Sequence, residues 1–165
     1  MAEKSRILNI PSDMHQPPKE ELVWNGVSQL AYPEDTKTPY RYYYSKLCQL
    51  YFTYELSRYL KSDSRNITVA ALNPGFMSET NLAGGKMTQE RADFVKINML
   101  DRYGTLSKSS SAAASLITEP QFESDVAYYY DRGTVIAQSS PLSYHLENAK
   151  ELWQESLKLC KLNEK

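Results

Sequence analysis

Two short runs of β-branched and aliphatic residues bracket one long helical stretch, and this arrangement limits the fold more than any other feature of the chain. Arg6 to Ile10 is apolar, β-branched and ended by Pro11, the pattern of a buried strand. Ile67-Thr68-Val69-Ala70-Ala71-Leu72 repeats that pattern. Between them, residues 40 to 61 set Leu47, Leu50, Tyr51, Tyr54, Leu56 and Leu60 at helical spacing, until Lys61-Ser62-Asp63-Ser64-Arg65-Asn66 breaks it. Strand, helix, strand is a βαβ unit, which predicts parallel strands and a right-handed crossover. The fold class expected is α/β.

The remaining segments extend this unit. Residues 16 to 39 carry Pro17, Pro18, Gly26, Pro33 and Pro39 and read as a long surface loop anchored by Leu22, Val23 and Trp24. Residues 76 to 104 combine Gly84-Gly85 with a short helix from Thr88 to about Leu100, as in a lid. Leu106 to Ile117 is a Ser- and Ala-rich helix whose small residues allow close packing on a sheet. Ala127 to Tyr130 is a third strand, followed by Asp131-Arg132-Gly133. Ser143 to Leu162 is an amphipathic helix with Leu146, Ala149, Leu152, Trp153, Leu157 and Cys160 near one face, expected to dock on the sheet.

Composition narrows the function classes. The 165 residues suit one domain, and a formal net charge of −1 gives no general reason to expect a nucleic-acid or anionic-membrane partner. No apolar run approaches the roughly 20 residues that cross a bilayer. Cys48 and Cys160 lie far apart without metal-ligand spacing, so no metal is expected and a reducing, cytoplasmic setting is. The Tyr40 to Tyr44 cluster lacks the interleaved basic residues of a base-stacking platform. His15 and His145 have no partner at ligand spacing and read as loop histidines.

The chemistry-bearing stretch is Tyr42-Tyr43-Tyr44-Ser45-Lys46. Tyr42 and Lys46 share one helix face, one turn apart. A phenol has an ordinary pKa of about 10, and a neighbouring ammonium favours the phenolate. Such a pair can exchange a proton with an alcohol or carbonyl. With 13 tyrosines, a chance match to Tyr-x-x-x-Lys is easy, and a solvated Lys beside a packing Tyr is the plainer reading of the pair taken alone. Ser12 follows the first strand directly, at the carboxyl edge where open α/β sheets bind ligands.

Three ordered segments together resemble one family. Arg6 to Ser12 is similar to the fifth strand of short-chain dehydrogenases/reductases, which ends in an active-site serine. Tyr42-x-x-Ser45-Lys46 resembles their catalytic Tyr and Lys, and Asn73-Pro74-Gly75 resembles the turn that borders the nicotinamide. Tyr128-Tyr129-Tyr130, Pro141-Leu142-Ser143 and the helix from Glu147 to Ser156 resemble the retinol-dehydrogenase-like branch. The spacing of Thr80 after Pro74-Gly75 is similar to protochlorophyllide-reductase-like members. The resemblance implies Tyr42 as general acid/base, Lys46 as its activator and a ribose donor, and Ser12 as holder of the substrate oxygen. It places Pro74, Gly75 and Thr80 at the nicotinamide.

The resemblance further implies NADP or NAD as cofactor and a small alcohol or carbonyl as substrate. It covers only the C-terminal half of a Rossmann-type doubly wound fold: about three parallel strands with flanking helices over residues 1–165. Gly26 is the first glycine, and no Gly-x-x-x-Gly-x-Gly turn occurs to seat a pyrophosphate. Pro11 also stands where the family commonly has a second serine. The expected partner is therefore a complementing N-terminal half; the resemblance also implies a homodimer, since the Tyr42 helix helps form dimers in many relatives. The alternative is a cofactor-free relative that binds a partner chain.

Overall fold

The computed structural model describes residues 4–17, 21–32, 40–81, 87–98 and 101–162. The central βαβ unit is there: β1 (Ser5–Asn9), the long helix α2 (Arg41–Ser62) and β2 (Ile67–Asn73), with α1 (Val27–Ala31) in the loop before α2. β1 and β2 run parallel, with Ile7 opposite Val69. β3 (Tyr128–Asp131) joins β2, also in parallel, with Ala71 opposite Tyr129. A fourth strand, β4 (Ile136–Ala137), pairs antiparallel with β3, so the sheet order is β1-β2-β3-β4. The architecture is α/β with a mostly parallel sheet flanked by helices, compatible with a Rossmann-type fold.

β2 is the centre of the core because both of its faces are covered. Successive side chains alternate across the sheet. Ala70, Leu72 and Tyr130 pack with Ala112 and Leu116 of α4 (Leu106–Thr118). Ala71 and Tyr129 pack with Leu50 and Tyr54 of α2 on the opposite face. The Ser and Ala residues of α4 let it lie close to the sheet; its first turn is capped by Thr105, whose side chain accepts the Lys108 N–H.

The structure departs from expectation in three places. β4 was not foreseen, because two residues carry no readable period. The proline-rich loop contains α1, whose first amide, Val27 N–H, donates to Glu151 at 3.1 Å. Of the expected loop anchors, Leu22 and Trp24 pack into the core and Trp24 Nε1 donates to Glu151 at 2.8 Å, whereas the Val23 side chain is exposed. Finally, α5 (Leu146–Leu159) docks on α2, not chiefly on the sheet. The small Ala149 lets it approach Leu47 and Tyr51, and Trp153 stacks on Phe52 at 5.7 Å. α3 (Gln89–Asn98) lies in the segment read as a lid; Gly84-Gly85 fall outside the described residues.

Candidate active site

The carboxyl ends of the parallel strands form two adjoining corners. At the first, β1 ends at Asn9, whose amide donates to Thr53 Oγ1 of α2 at 2.9 Å and fastens the strand to the helix. Pro11 is buried and Ser12 opens a single 3-10 turn, Asp13–His15. The Ser12 hydroxyl accepts the Met14 N–H at 3.2 Å and donates to Asp13 Oδ1 at 3.1 Å. One helix away, the Lys46 ammonium donates to the Ile10 carbonyl at 3.4 Å and to Gln49 Oε1 at 3.1 Å. It also lies 5.5 Å from the centre of the Tyr42 ring, within cation–π range. Partial burial lowers the Lys46 pKa, because desolvation disfavours the ammonium. Tyr42 itself is 45% exposed, open to an incoming molecule.

The second corner joins β2 to β3 and is far more tightly made. Asn73 is buried, and its side chain accepts the Gly75 N–H at 3.1 Å while donating to Asp131 Oδ1 at 2.7 Å. Its carbonyl takes the Arg132 N–H at 2.8 Å. Arg132 in turn pairs with Asp131, its Nε donating to the two carboxylate oxygens at 3.0 and 3.1 Å and its Nη2 to Oδ2 as well. Gly75 has φ of 77°, where a side chain is strained, and a Cβ there would sit 2.9 Å from the Gly104 nitrogen. A Cβ on Gly104 would collide with the Pro74 carbonyl oxygen. The two glycines thus meet backbone to backbone. Phe76 and Tyr103 form a parallel bridge beside them, and the Ser109 hydroxyl donates to Pro74 O at 2.7 Å. The segment between Phe76 and Tyr103 is closed at its neck.

A polar cavity of about 390 Å³ lies between the corners, lined by Asp13, His15, Arg102, Tyr129, Asp131 and Ser140, among others. Arg102 ties the neck to the Ser12 turn, its Nε standing 3.7 Å from Asp13 Oδ2. His15 is buried, and burial lowers its pKa. Burial also pushes the Tyr129 and Tyr54 phenols upward, so both stay neutral hydrogen-bonding groups.

This geometry can be set beside known proteins. No protein-family model and no curated protein matches the chain. Among solved structures, the chain is similar to an uncharacterized protein from Mycobacterium Paratuberculosis, at 24% identity and a TM-score of 0.63, over 97% of this chain and 52% of that one. The fold is shared. It is also matched to a 4-hydroxyisoleucine dehydrogenase complexed with NADH, at 20% identity and a TM-score of 0.47, over 79% of this chain and 46% of that one. The chain therefore spans about half the length of each of these proteins.

Of the residues singled out from sequence, Lys46 and Tyr42 come together, and Lys46 reaches the strand end that leads to Ser12. No hydrogen bond joins Ser12 to Tyr42 among the described residues; the Ser12 hydroxyl serves its own turn. Pro74 and Gly75 lie at the second corner, and Thr80 Oγ1 bends back to donate to Met77 O at 2.9 Å. The sequence places Asn73 in the Pro74-Gly75 turn and Asp131-Arg132 after the third strand without giving any of them a role, and it does not single out Gly104 or Arg102. Their only signal was position. Asn73 and Asp131 end strands, and Gly104 directly precedes a helix cap.

Proposed function

We propose that this chain carries the catalytic and substrate-binding half of a short-chain NAD(P)-dependent oxidoreductase, acting on a small alcohol or carbonyl. The observation that carries the reading is the Lys46 ammonium, held between the Tyr42 ring at 5.5 Å and the Ile10 carbonyl at 3.4 Å, at the carboxyl end of the strand that leads to Ser12. In this reading Tyr42 exchanges a proton with the substrate oxygen. Lys46 favours the phenolate and donates to the nicotinamide ribose. Ser12 turns its hydroxyl from Asp13 to the substrate oxygen, where a second donor stabilises developing negative charge. Pro74, Gly75 and Thr80 border the nicotinamide, and the retinol-dehydrogenase/protochlorophyllide-reductase-like branch is part of the same proposal.

The residues present suit one end of NADP or NAD. A half-buried ammonium and a side-chain-free Gly75 turn fit a ribose and a flat ring. When bound, the nicotinamide supplies or takes up the hydride. A dinucleotide's pyrophosphate wants a glycine-rich turn at a helix N-terminus, and the sequence contains no Gly-x-x-x-Gly-x-Gly. That end would fall to a complementing N-terminal half, which would pair with the outer edge of β1.

A second reading, a cofactor-free relative that binds a partner chain, is favoured by that same edge. β1 has no strand on its outer side among the described residues. An apolar groove of about 560 Å³, lined by Asn9, Phe52 of α2 and Trp153 of α5 among others, lies near its end. The two readings part on titration with NADPH and NADH followed by nicotinamide fluorescence, with the chain alone and mixed with a glycine-rich N-terminal half. The enzyme reading expects binding in the mixture and turnover that Tyr42→Phe abolishes. Binding in neither sample, or a Tyr42→Phe variant that keeps its rate, overturns it.

A further inference from the structure

His15 is held as no loop histidine is. Its residue is only 5% exposed, and both ring nitrogens meet backbone groups of fixed polarity. The Ser12 carbonyl can only accept, and stands 2.6 Å from Nδ1; the Ser140 N–H can only donate, and points at Nε2 from 2.8 Å. Nδ1 must therefore carry the proton and Nε2 the lone pair, a single neutral tautomer dictated by its partners. The ring also meets Tyr129 edge-on at 5.7 Å. Behind Ser140 lies a buried chain of hydroxyls. Tyr54 of α2 bonds Ser139 at 2.7 Å, Ser139 bonds Ser143 at 2.6 Å, and Ser143 donates to Ser140 O at 2.6 Å.

We propose that His15 is a positioning residue: its imidazole fastens the Ser12 turn to the Ser139–Ser143 segment and so fixes where the Ser12 hydroxyl stands. The use of that hydroxyl rests on the function proposed above; the fastening does not. A proton on Nε2 would set N–H against N–H and break the bond to Ser140. Asp13 from the same turn and Asp131 from β3 favour that proton, while Tyr129 from β3 and Tyr54 from α2 are neutral. Arg102 and Arg132 add positive charge near the two carboxylates. Burial outweighs the Ser12 bond and the two carboxylates, so the ring's pKa is lowered.

The test uses the full chain without cofactor or substrate, so its result is separate from that of the Tyr42→Phe assay. Nitrogen NMR of the labelled histidine reads the tautomer directly: a protonated Nδ1 with a bare Nε2, titrating below an exposed histidine. Amide exchange then follows Ser140 and Met14, whose N–H groups bond His15 and Ser12. His15→Ala should raise both rates about tenfold, and His15→Gln, which keeps a donor and an acceptor, should restore most of the protection. The Lys108 amide at the α4 cap should not change. A proton found on Nε2 overturns the proposal, as do Ser140 and Met14 rates that ignore His15→Ala or rise equally in His15→Gln. Should His15→Ala not fold, the wild-type tautomer and the His15→Gln rates still decide.

Discussion

The corner between β2 and β3 and the corner between β1 and α2 sit side by side on one sheet edge, yet they are built on opposite terms. The first is a lock. Asn73 alone engages Gly75, Asp131 and Arg132 from a buried position, and Gly75 meets Gly104 without room for a methyl group. The second holds its chemical groups loosely: Tyr42 is 45% exposed, and Lys46 reaches the Ile10 carbonyl, just past β1, through one long 3.4 Å bond. Buried hydrogen bonds are costly to leave half-made, so a corner built of them resists movement. Groups that must meet a substrate have to stay accessible and exchange partners. One corner is fixed by buried bonds, and the other stays open to solvent.

Four perturbations test this division. The largest effect belongs to Gly104→Ala, whose Cβ would strike the Pro74 carbonyl. Backbone cannot yield as a side-chain tip can, so a loss of about 3 kcal/mol or more is expected from urea unfolding. A wild-type midpoint for this variant would mean that the neck is not rigid. Asn73→Ala comes next. It strands the Gly75 N–H and removes the donor to Asp131, for about 2 to 3 kcal/mol by the same measurement.

The third concerns pH. The folded pKa of His15 lies below its unfolded value of about 6.5. The unfolded chain therefore binds the extra proton, and stability rises with pH through that window. The His15 contribution is present in full above about pH 6.5 and is lost as pH falls through the folded pKa. Urea midpoints measured between neutral and mildly acid pH should slope accordingly, and His15→Gln should flatten the slope. The smallest effect on stability is expected at the open corner of Tyr42 and Lys46. Tyr42→Phe and Lys46→Met should each change unfolding free energy by no more than about 0.5 kcal/mol. A much larger loss would show that this corner is also structural and erase the contrast.

Legibility followed the length scale of each feature. The strands around Ile7 and Val69 were readable as short β-branched apolar runs with clear ends, and the helix carrying Leu47, Leu50 and Tyr51 because it repeats its period several times. Tyr42 and Lys46 were readable as a pair because helix geometry alone puts them on one face. β4, two residues long, had no period to read, and the docking of α5 depended on which apolar surface lay free beside Ala149. His15 reads in the sequence as a loop histidine with no partner at ligand spacing, and its two hydrogen-bond partners are not legible there because only one of them is near in the chain. Ser12 is three residues away, but Ser140 is 125 residues away.

Local order along the chain thus decided the parallel strands, the crossover helix and the pairing of a phenol with an ammonium, since all three arise from repeating backbone geometry. Only folding decided which strand ends adjoin, that Gly75 and Gly104 must both lack side chains, and that one imidazole joins the exit of the first strand to the approach of the last helix. Those contacts join residues far apart in the chain, and no local period encodes them.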